Sequence, residues 1–324
     1  MTVGCGNRPT SVRPIMPGVR RAGGYVLVAA LGTTAVYHLR DQLPQPHEVI
    51  AVLQTADTTW LIAASLAIFA SLDMFARHQR TLLAGIGITL PHRRALALAY
   101  SRAAMAYSLP AGSVVSATYA YRQFHAHGAD RRTAAMVLML SSVLLTAALA
   151  MIYAAGAIVA ALLELPLARM LPPQLTTTAT AFACVLLVIT AIVIKLATRS
   201  VTARYWILAL TAALANWSTE LLCLLFVTRA LGLDIGIIAL AATFLGAQLA
   251  RQIPLTPGGI GLVEASLLTG LISAGTPVTT AAATVLVYRL LSCWLVINIG
   301  LLSWLYLRKH TPTSPRNRTP LAPA

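Results

Sequence analysis

The chain has 324 residues, of which 58% are hydrophobic and only 10% are charged. Because soluble domains average about 45–50% apolar and about 25% charged residues, this composition excludes a cytosolic globular enzyme, a secreted disulfide scaffold and a disordered protein. The 24 Lys and Arg residues outnumber the nine Asp and Glu residues. In a membrane protein such an excess indicates basic loops kept in the cytoplasm rather than a nucleic-acid partner.

Apolar runs define the predicted spans, because a membrane-spanning helix needs about 20 mainly apolar residues. Residues 1–20 precede the first run, and we expect them to be a disordered cytoplasmic N-terminus. Residues 309–324 are predicted to form a disordered cytoplasmic tail, since they lack an apolar run. The runs that approach or exceed spanning length predict six full spans: 23–39, 58–76, 133–160, 176–198, 203–231 and 278–307.

Two further apolar stretches are interrupted by proline and glycine. Residues 94–127 are broken at Leu109-Pro110-Ala111-Gly112, and residues 236–275 are broken between Pro254 and Gly259. Each half is near or below spanning length, which predicts a re-entrant helical hairpin. The predicted fold is therefore an all-α polytopic membrane protein with about six full spans and two re-entrant hairpins.

The distribution of basic residues predicts the orientation. If the N-terminus is inside and both hairpins return to the side they entered from, most of the 24 basic residues fall in the cytoplasm. The opposite orientation would place them outside. We therefore expect both termini in the cytoplasm and a location in the plasma or inner membrane.

The two broken stretches align at an offset of 147 residues. Pro110 matches Pro257, Gly112 matches Gly259, and Gly128 matches Gly275. The aligned halves, about 94–160 and 236–307, belong to one transmembrane domain that we place at residues 21–308. With hairpins entering from opposite sides, this is the inverted repeat typical of transporters. The alternative is two unrelated proline-kinked helices.

The second break carries the clearest candidate binding site. Pro257 fixes its own φ, whereas Gly258, Gly259 and Gly261 allow positive φ and a close backbone approach. The helix that follows would open with free N–H groups and a positive dipole end, which favours an anion such as phosphate. Arg251 and Glu264 flank the break as a second part of this site. The alternative is that these two form a structural ion pair.

Further polar residues lie inside predicted spans. Arg289, beside Tyr288, is too deep in the last span to reach an interface, so a role facing the second hairpin is predicted. Asn216 and Glu220 are spaced i, i+4 and share one helix face. They are candidates either for lining a cavity or for helix–helix contact.

Other groups do not form a recognisable catalytic or metal-binding site. Asp73 and Arg77 are spaced for a surface ion pair. His125 and His127 lie beside basic residues, and further metal ligands are not evident, so a solvated loop is predicted. We expect no cofactor and no catalytic residues, and hence a protein that is not an enzyme.

The order of these motifs resembles the lysylphosphatidylglycerol synthase transmembrane-region family. The resemblance rests on Leu109–Gly112, then Arg122 and Gly128, then Thr256–Glu264, then Arg289, and it extends over about residues 20–308. It implies a flippase-like integral membrane protein with re-entrant helices that moves a lipid between leaflets. Two-domain members also have a cytosolic aminoacyl-transferase domain. The predicted spans account for this chain, so that synthase activity is not expected.

The combined expectation is a lipid flippase or translocase. Its partner would be a membrane lipid, either an anionic phospholipid or a polyprenyl-phosphate-linked one, and a partner enzyme in the membrane is left open. The alternatives are a membrane-embedded enzyme acting on a lipid phosphate, a glycosyltransferase accessory, and an ion-coupled anion transporter. The predicted substrate-binding residues are Pro110, Gly112, Arg122, Asn216, Glu220, Arg251, Pro257, Gly258, Gly259, Gly261, Glu264, Tyr288 and Arg289.

Overall fold

A computed structural model describes residues 46–109, 111–162, 202–252 and 256–310. Within these ranges all regular secondary structure is helical. The predicted spans 23–39 and 176–198 and the predicted N-terminal segment 1–20 lie outside the described residues, as does the tail beyond His310.

The described residues form ten α-helices in chain order. They are α1 (Pro46–Gln54), α2 (Thr58–Ala84), α3 (His92–Ser108), α4 (Gly112–Ala126), α5 (Arg131–Leu162), α6 (Ala203–Ala230), α7 (Ile237–Gln252), α8 (Leu262–Ser273), α9 (Val278–Arg289) and α10 (Val296–His310). A 3₁₀ turn at Pro257–Gly259 precedes α8, and a π-helical segment at Leu290–Leu295 joins α9 to α10.

Among the described residues, four helices are long and apolar enough to cross a membrane. They are Thr58–Ala84, Arg131–Gly156, Arg204–Ala230 and Val278–His310. They coincide with four of the six predicted spans and confirm a multi-pass membrane protein. The last of these runs from the start of α9 through the π-helical segment to the end of α10.

The helix α2 continues to Ala84, beyond the end of the predicted span 58–76. Its last turns bury His78, Leu82 and Leu83 against neighbouring helices. The imidazole of His78 bridges the carbonyl oxygen of Ala209 and the hydroxyl of Ser141, at 2.8 and 3.0 Å. Contacts within the bundle therefore extend a helix that the apolar run alone ends at Arg77.

The first broken stretch folds back on itself. Leu109 is extended, with φ −106° and ψ 145°, as expected for a residue before proline. Ala111 is left-handed at φ 52°, and α4 starts at Gly112. Arg94 near the start of α3 lies 3.1 Å from His127 just after α4. The two helices therefore form an antiparallel hairpin, which we call the first hairpin (His92–Ala126).

The second broken stretch also forms an antiparallel helix pair, which we call the second hairpin (Ile237–Ser273). A Cβ atom at Gly246 on α7 would lie 3.0 Å from the hydroxyl of Ser266 on α8, and one at Gly270 would contact Thr243 at 2.6 Å. The contact partner moves back from Gly270 to Ser266 on α8 as the position moves forward from Thr243 to Gly246 on α7, so the two helices are antiparallel. Because Gly246 and Gly270 have no side chains beyond hydrogen, the two helices can approach closely.

The ends of the two hairpins have the same backbone geometry at the offset of 147 residues. Gly128 and Gly275 both have positive φ, at 98° and 87°. In each case the next residue donates its N–H to a carbonyl five positions back, as in Ala129 to Phe124 at 3.1 Å. This is the Schellman ending of a helix, and the offset also relates the starts of α5 and α9.

Candidate functional site

The tip of the second hairpin contacts the last turn of α3 in the first hairpin. Gly258 has φ 61°, and a Cβ atom there would lie 2.9 Å from both the Cα and the carbonyl oxygen of Tyr107. Glycine is therefore required twice, for its conformation and for this approach. The turn of the second hairpin thus packs against the end of α3, just before the break in the first hairpin.

The two hairpins open towards opposite ends of the continuous helix Val278–His310. Arg94, at the base of the first hairpin, donates to the carbonyl oxygen of His310 at the C-terminal end of that helix. The base of the second hairpin, Ser273, connects through a short turn to Val278 at the other end. The hairpins therefore approach each other from opposite sides and meet at their tips.

Glu220 on α6 organises the first part of the site. Its Oε1 atom lies 3.1 Å from Nη1 of Arg251 and 3.3 Å from Nε2 of Gln248, and it accepts a hydrogen bond of 3.3 Å from the hydroxyl of Tyr288. The guanidinium of Arg251 also lies over the ring of Tyr107, 5.7 Å from its centroid. The Glu220 side chain is 8% exposed. Three side chains, one each from α3, α7 and α9, thus surround a buried carboxylate and its arginine.

Glu264 and Arg289 form the second part. Oε1 of Glu264 lies 2.6 Å from Nε of Arg289, and Oε2 accepts the backbone N–H of Gly261 at 2.6 Å. Gly261 is the N-cap of α8, so the carboxylate also lies at the positive end of that helix. The Arg289 side chain is 5% exposed and that of Glu264 is 32% exposed. The carboxylate is therefore more exposed than the arginine that it holds.

Both ion pairs belong to one electrostatic site. Arg251 and Arg289 each interact electrostatically with both Tyr107 and Cys293. Several buried polar atoms around them have no hydrogen-bond partner among the described residues: Nε of Arg251, Nη1 of Arg289, Oε1 of Gln248 and Oγ of Ser292. Buried polar groups are normally paired, so this concentration requires an explanation.

The structure brings together most of the predicted second-hairpin site, with one correction. Arg251, Tyr288 and Glu220 meet at one carboxylate, and Glu264 meets Arg289. The alternative of an Arg251–Glu264 ion pair was wrong. Although these two residues are close in the sequence, α7 turns Arg251 towards α6, whereas the start of α8 turns Glu264 towards α9.

The predicted glycines lie where they shape the turn. Gly258 and Gly259 belong to the 3₁₀ turn that begins at Pro257, and Gly261 caps α8; all three glycines have positive φ. A Cβ atom at Gly259 would lie 3.4 Å from the Cα of Arg251. The turn therefore packs directly against the end of α7.

Other predicted residues lie apart from this site. Asn216, one turn before Glu220, accepts a hydrogen bond from the hydroxyl of Ser71 at 3.1 Å and so joins α6 to α2. Arg122 is exposed near the base of the first hairpin. Gly112 is buried against the carbonyl oxygens of Met105 and Ala106. Pro110 lies outside the described residues.

The predicted Asp73–Arg77 ion pair is present at 2.7 Å between Oδ2 and Nε. His92 was not predicted to contact this pair, but its Nε2 lies 2.9 Å from Oδ1 of Asp73. Gln248 and Tyr107 were also not predicted to belong to the central site. A signal existed for Gln248, since it is a polar residue in an apolar helix and is spaced i, i+3 from Arg251.

The predicted solvated histidines do not gather further ligands among the described residues. No group of three or more His, Cys, Asp or Glu side chains there could hold a metal ion. His125 contacts the carbonyl oxygen of Ala129 at 2.7 Å, and His127 contacts that of Gln123 at 2.7 Å. Both rings therefore take part in the end of α4.

Comparison with known proteins gives a family match over most of the chain. Residues 22–300 match the family described as the lysylphosphatidylglycerol synthase TM region. The chain is 33% identical over 84 residues to a UPF0104 membrane protein of Methanothermobacter thermautotrophicus, covering 26% of this chain and 25% of that protein. It is 28% identical over 110 residues to a UPF0104 membrane protein of Methanocaldococcus jannaschii, covering 34% and 47%. The alignments thus span less than half of either relative.

Proposed function

The chain belongs to the lysylphosphatidylglycerol synthase transmembrane-region family, and from this premise we propose that it is a lipid translocase. The observation that carries the proposal is the pair of buried, unpartnered guanidinium atoms, Nε of Arg251 and Nη1 of Arg289, where the hairpin tips meet. The substrate is a membrane lipid whose head group enters this region while its chains remain in the bilayer.

A phosphate group matches the donors at this site. Arginine guanidinium groups bind phosphate oxygens through directed, charge-assisted hydrogen bonds. The N-terminus of α8, which begins at Leu262 after the Gly261 cap, adds a positive dipole end beside Arg289. Arg251, Arg289 and the backbone of the Pro257–Gly261 turn therefore hold the phosphate.

The two carboxylates act as counter-ions within this proposal. Burying an arginine without a partner in a membrane is costly, so each arginine is held by a glutamate before the lipid arrives. Glu264, the more exposed of the two, then balances the charge of the phosphate or contacts a cationic part of the head group. Glu220, whose carboxylate is also contacted by Gln248 and Tyr288, keeps Arg251 in place.

In the membrane, we propose that both hairpins are re-entrant and enter from opposite leaflets. Their opposite openings and the shared backbone geometry at Gly128 and Gly275 support an inverted repeat. The base of the first hairpin and the end of α10 carry several basic residues, which favours their placement at the cytoplasmic face. Both termini are then cytoplasmic, and the location is the plasma or inner membrane.

The direct test is lipid movement in proteoliposomes made with the purified full-length chain. Fluorescent phosphatidylglycerol should become accessible to a membrane-impermeant quencher faster in vesicles that contain the protein. Arg289→Gln and Arg251→Gln should reduce this rate, whereas Arg80→Gln, at an exposed position on α2, should not. Equal rates in protein-free and protein-containing vesicles would contradict the proposal. Mass spectrometry of co-purified lipid would separate a phospholipid from a polyprenyl-phosphate lipid.

A second candidate is an ion-coupled anion transporter, favoured by the partly exposed carboxylate of Glu264 beside a buried arginine. A carboxylate in this position can take up and release a proton as an anion binds. Uptake of radioactive inorganic phosphate into vesicles under a pH gradient, without lipid movement, would select this candidate. Conversion of the lipid to a new product by the purified protein would instead indicate an enzyme.

A further inference from the structure

Among the described residues, Arg102 in the first hairpin is a third arginine with a buried nitrogen that lacks a hydrogen-bond partner, besides Arg251 and Arg289. It lies in the middle of α3, seven residues or about 10 Å before Leu109, and is separate from the site at the hairpin tips. Its Nη1 atom is buried without a hydrogen-bond partner. Its Nε atom donates a long hydrogen bond of 3.4 Å to the hydroxyl of Ser116 on α4.

The charge of Arg102 is not neutralised by a carboxylate among the described residues. The other two arginines there with an unpartnered buried nitrogen, Arg251 and Arg289, each form an ion pair with a glutamate. Arg102 instead has the ring of Phe75 on α2, whose centroid lies 5.3 Å from its guanidinium carbon. A cation–π contact and one long hydrogen bond stabilise the orientation of the group but leave its charge uncompensated.

We propose that Arg102 and Ser116 form an anion-binding site for a phosphate group within the first hairpin. The ring of Phe75 holds the guanidinium plane, and Nη1 is the donor that lacks an acceptor. Ser116 is 6% exposed, and its hydroxyl can donate to the same anion while it accepts from Nε. Arg102 as a whole is only partly buried, although its Nη1 atom is itself buried.

The chemistry favours phosphate over a carboxylate or chloride ion. A guanidinium group matches the spacing of two oxygens of a tetrahedral anion, and the adjacent hydroxyl supplies a third donor on one side. The same chemistry is offered by the head group of a phospholipid and by free phosphate. This inference does not require that the chain move lipids, because it concerns binding alone.

Binding to the purified full-length chain in detergent tests the site. The probes are inorganic phosphate and dioctanoyl phosphatidylglycerol, with dioctanoyl glycerol as the lipid that lacks phosphate. We expect Arg102→Gln to weaken binding of at least one phosphate probe by about tenfold or more, while Arg80→Gln binds as the wild type does. A loss confined to the phospholipid indicates a head group, and a loss confined to inorganic phosphate indicates a soluble anion; both support the site.

Two further variants keep the test decisive. Arg102→Lys retains the charge but not the paired donors, so it should fold and still bind several-fold more weakly than the wild type. Unchanged affinity for both probes in Arg102→Gln, or in Arg102→Lys if the glutamine variant does not fold, would overturn the inference. Measuring Arg102→Gln in the Arg289→Gln background separates the two sites. If Arg102→Gln weakens phosphate binding in the Arg289→Gln background, that result would support the Arg102 site even if Arg289 proved unnecessary for lipid movement.

Discussion

The carboxylate of Glu264 bridges Arg289 and the backbone N–H of Gly261, with both contacts at 2.6 Å. One side chain therefore caps the start of α8 and orients a buried arginine on α9. The cap geometry and the charge of the site depend on each other, since moving the start of α8 would also move the partner of Arg289.

This relationship predicts different effects for single and paired substitutions. Arg289→Gln leaves Glu264 without its ion-pair partner and should lower the free energy of unfolding by a few kcal/mol. The double variant Glu264→Gln/Arg289→Gln removes both charges and should recover much of that stability. Thermal unfolding in detergent measures both. If the function proposed above is correct, lipid movement stays low in both variants, whereas its recovery in the double variant would assign the pair a purely structural role.

Gly258 should tolerate alanine less well than another glycine with positive φ. Gly258→Ala combines left-handed strain, about 1–2 kcal/mol, with a clash against the backbone of Tyr107. Gly87→Ala has a similar φ of 82° but no neighbour within 4 Å, so it isolates the strain. Comparing the two melting temperatures gives the contribution of the close approach. If both variants lowered the melting temperature by the same amount, the hairpin tip would be able to move away from α3.

Gly300 should be equally sensitive, for a reason that does not involve positive φ. A Cβ atom at Gly300 would meet the carbonyl oxygen of Tyr100 and the methyl group of Ala104, so Gly300→Ala should separate α10 from α3. Gly156→Ala is the matched helical control because nothing lies within 4 Å of it, and it should be neutral or stabilising by about 0.5–1 kcal/mol. A stable Gly300→Ala variant would contradict the tight helix contact.

Asn216 can be assigned to helix packing or to the site by comparing stability with activity. Ser71→Ala removes the hydroxyl that donates to Asn216 and should lower the free energy of unfolding by about 1 kcal/mol, without lowering the rate of lipid movement per folded molecule. Glu220→Gln is the contrasting change on the same helix face, and it should lower that rate. A reduced rate of lipid movement in Ser71→Ala would instead place Asn216 on the path that the lipid head group takes.

The start of α5 should depend on pH through Asp130. A hydrogen bond with Thr133 holds the pKa of this carboxyl below its usual range. A lowered pKa means that the stabilisation is present above the ordinary pKa and is lost as the pH falls through the folded value. As the pH falls, amide hydrogen exchange in the first turn of α5 should therefore become faster relative to the rate expected for an unstructured chain at the same pH. Asp130→Asn, which retains a capping oxygen, should remove this extra acceleration.

The features that depend on local sequence were predictable. Apolar runs located four long helices, and Pro110 with the glycines after Pro257 located both breaks, because proline and glycine act on their own backbone. Charged residues in apolar surroundings also directed attention to Glu264 and Arg289, since such charges require partners.

The identity of each partner was not predictable, because it depends on how the helices pack. Spacing along the chain suggested Arg251 with Glu264, but the fold pairs Arg251 with a glutamate 31 positions away on α6. Likewise, no local signal could place Gly258 against Tyr107 or Gly300 against Tyr100. These contacts are set by the meeting of elements distant in the sequence.

The continuous helix Val278–His310 touches both hairpins, and this has a mechanical consequence. Its first half contacts the second hairpin through Arg289 and Glu264, and its second half contacts the first hairpin through Gly300 and Tyr100. The π-helical segment Leu290–Leu295 lies between the two attachments. A motion that separates the hairpin tips must therefore either tilt this helix as one rod or bend it at that segment.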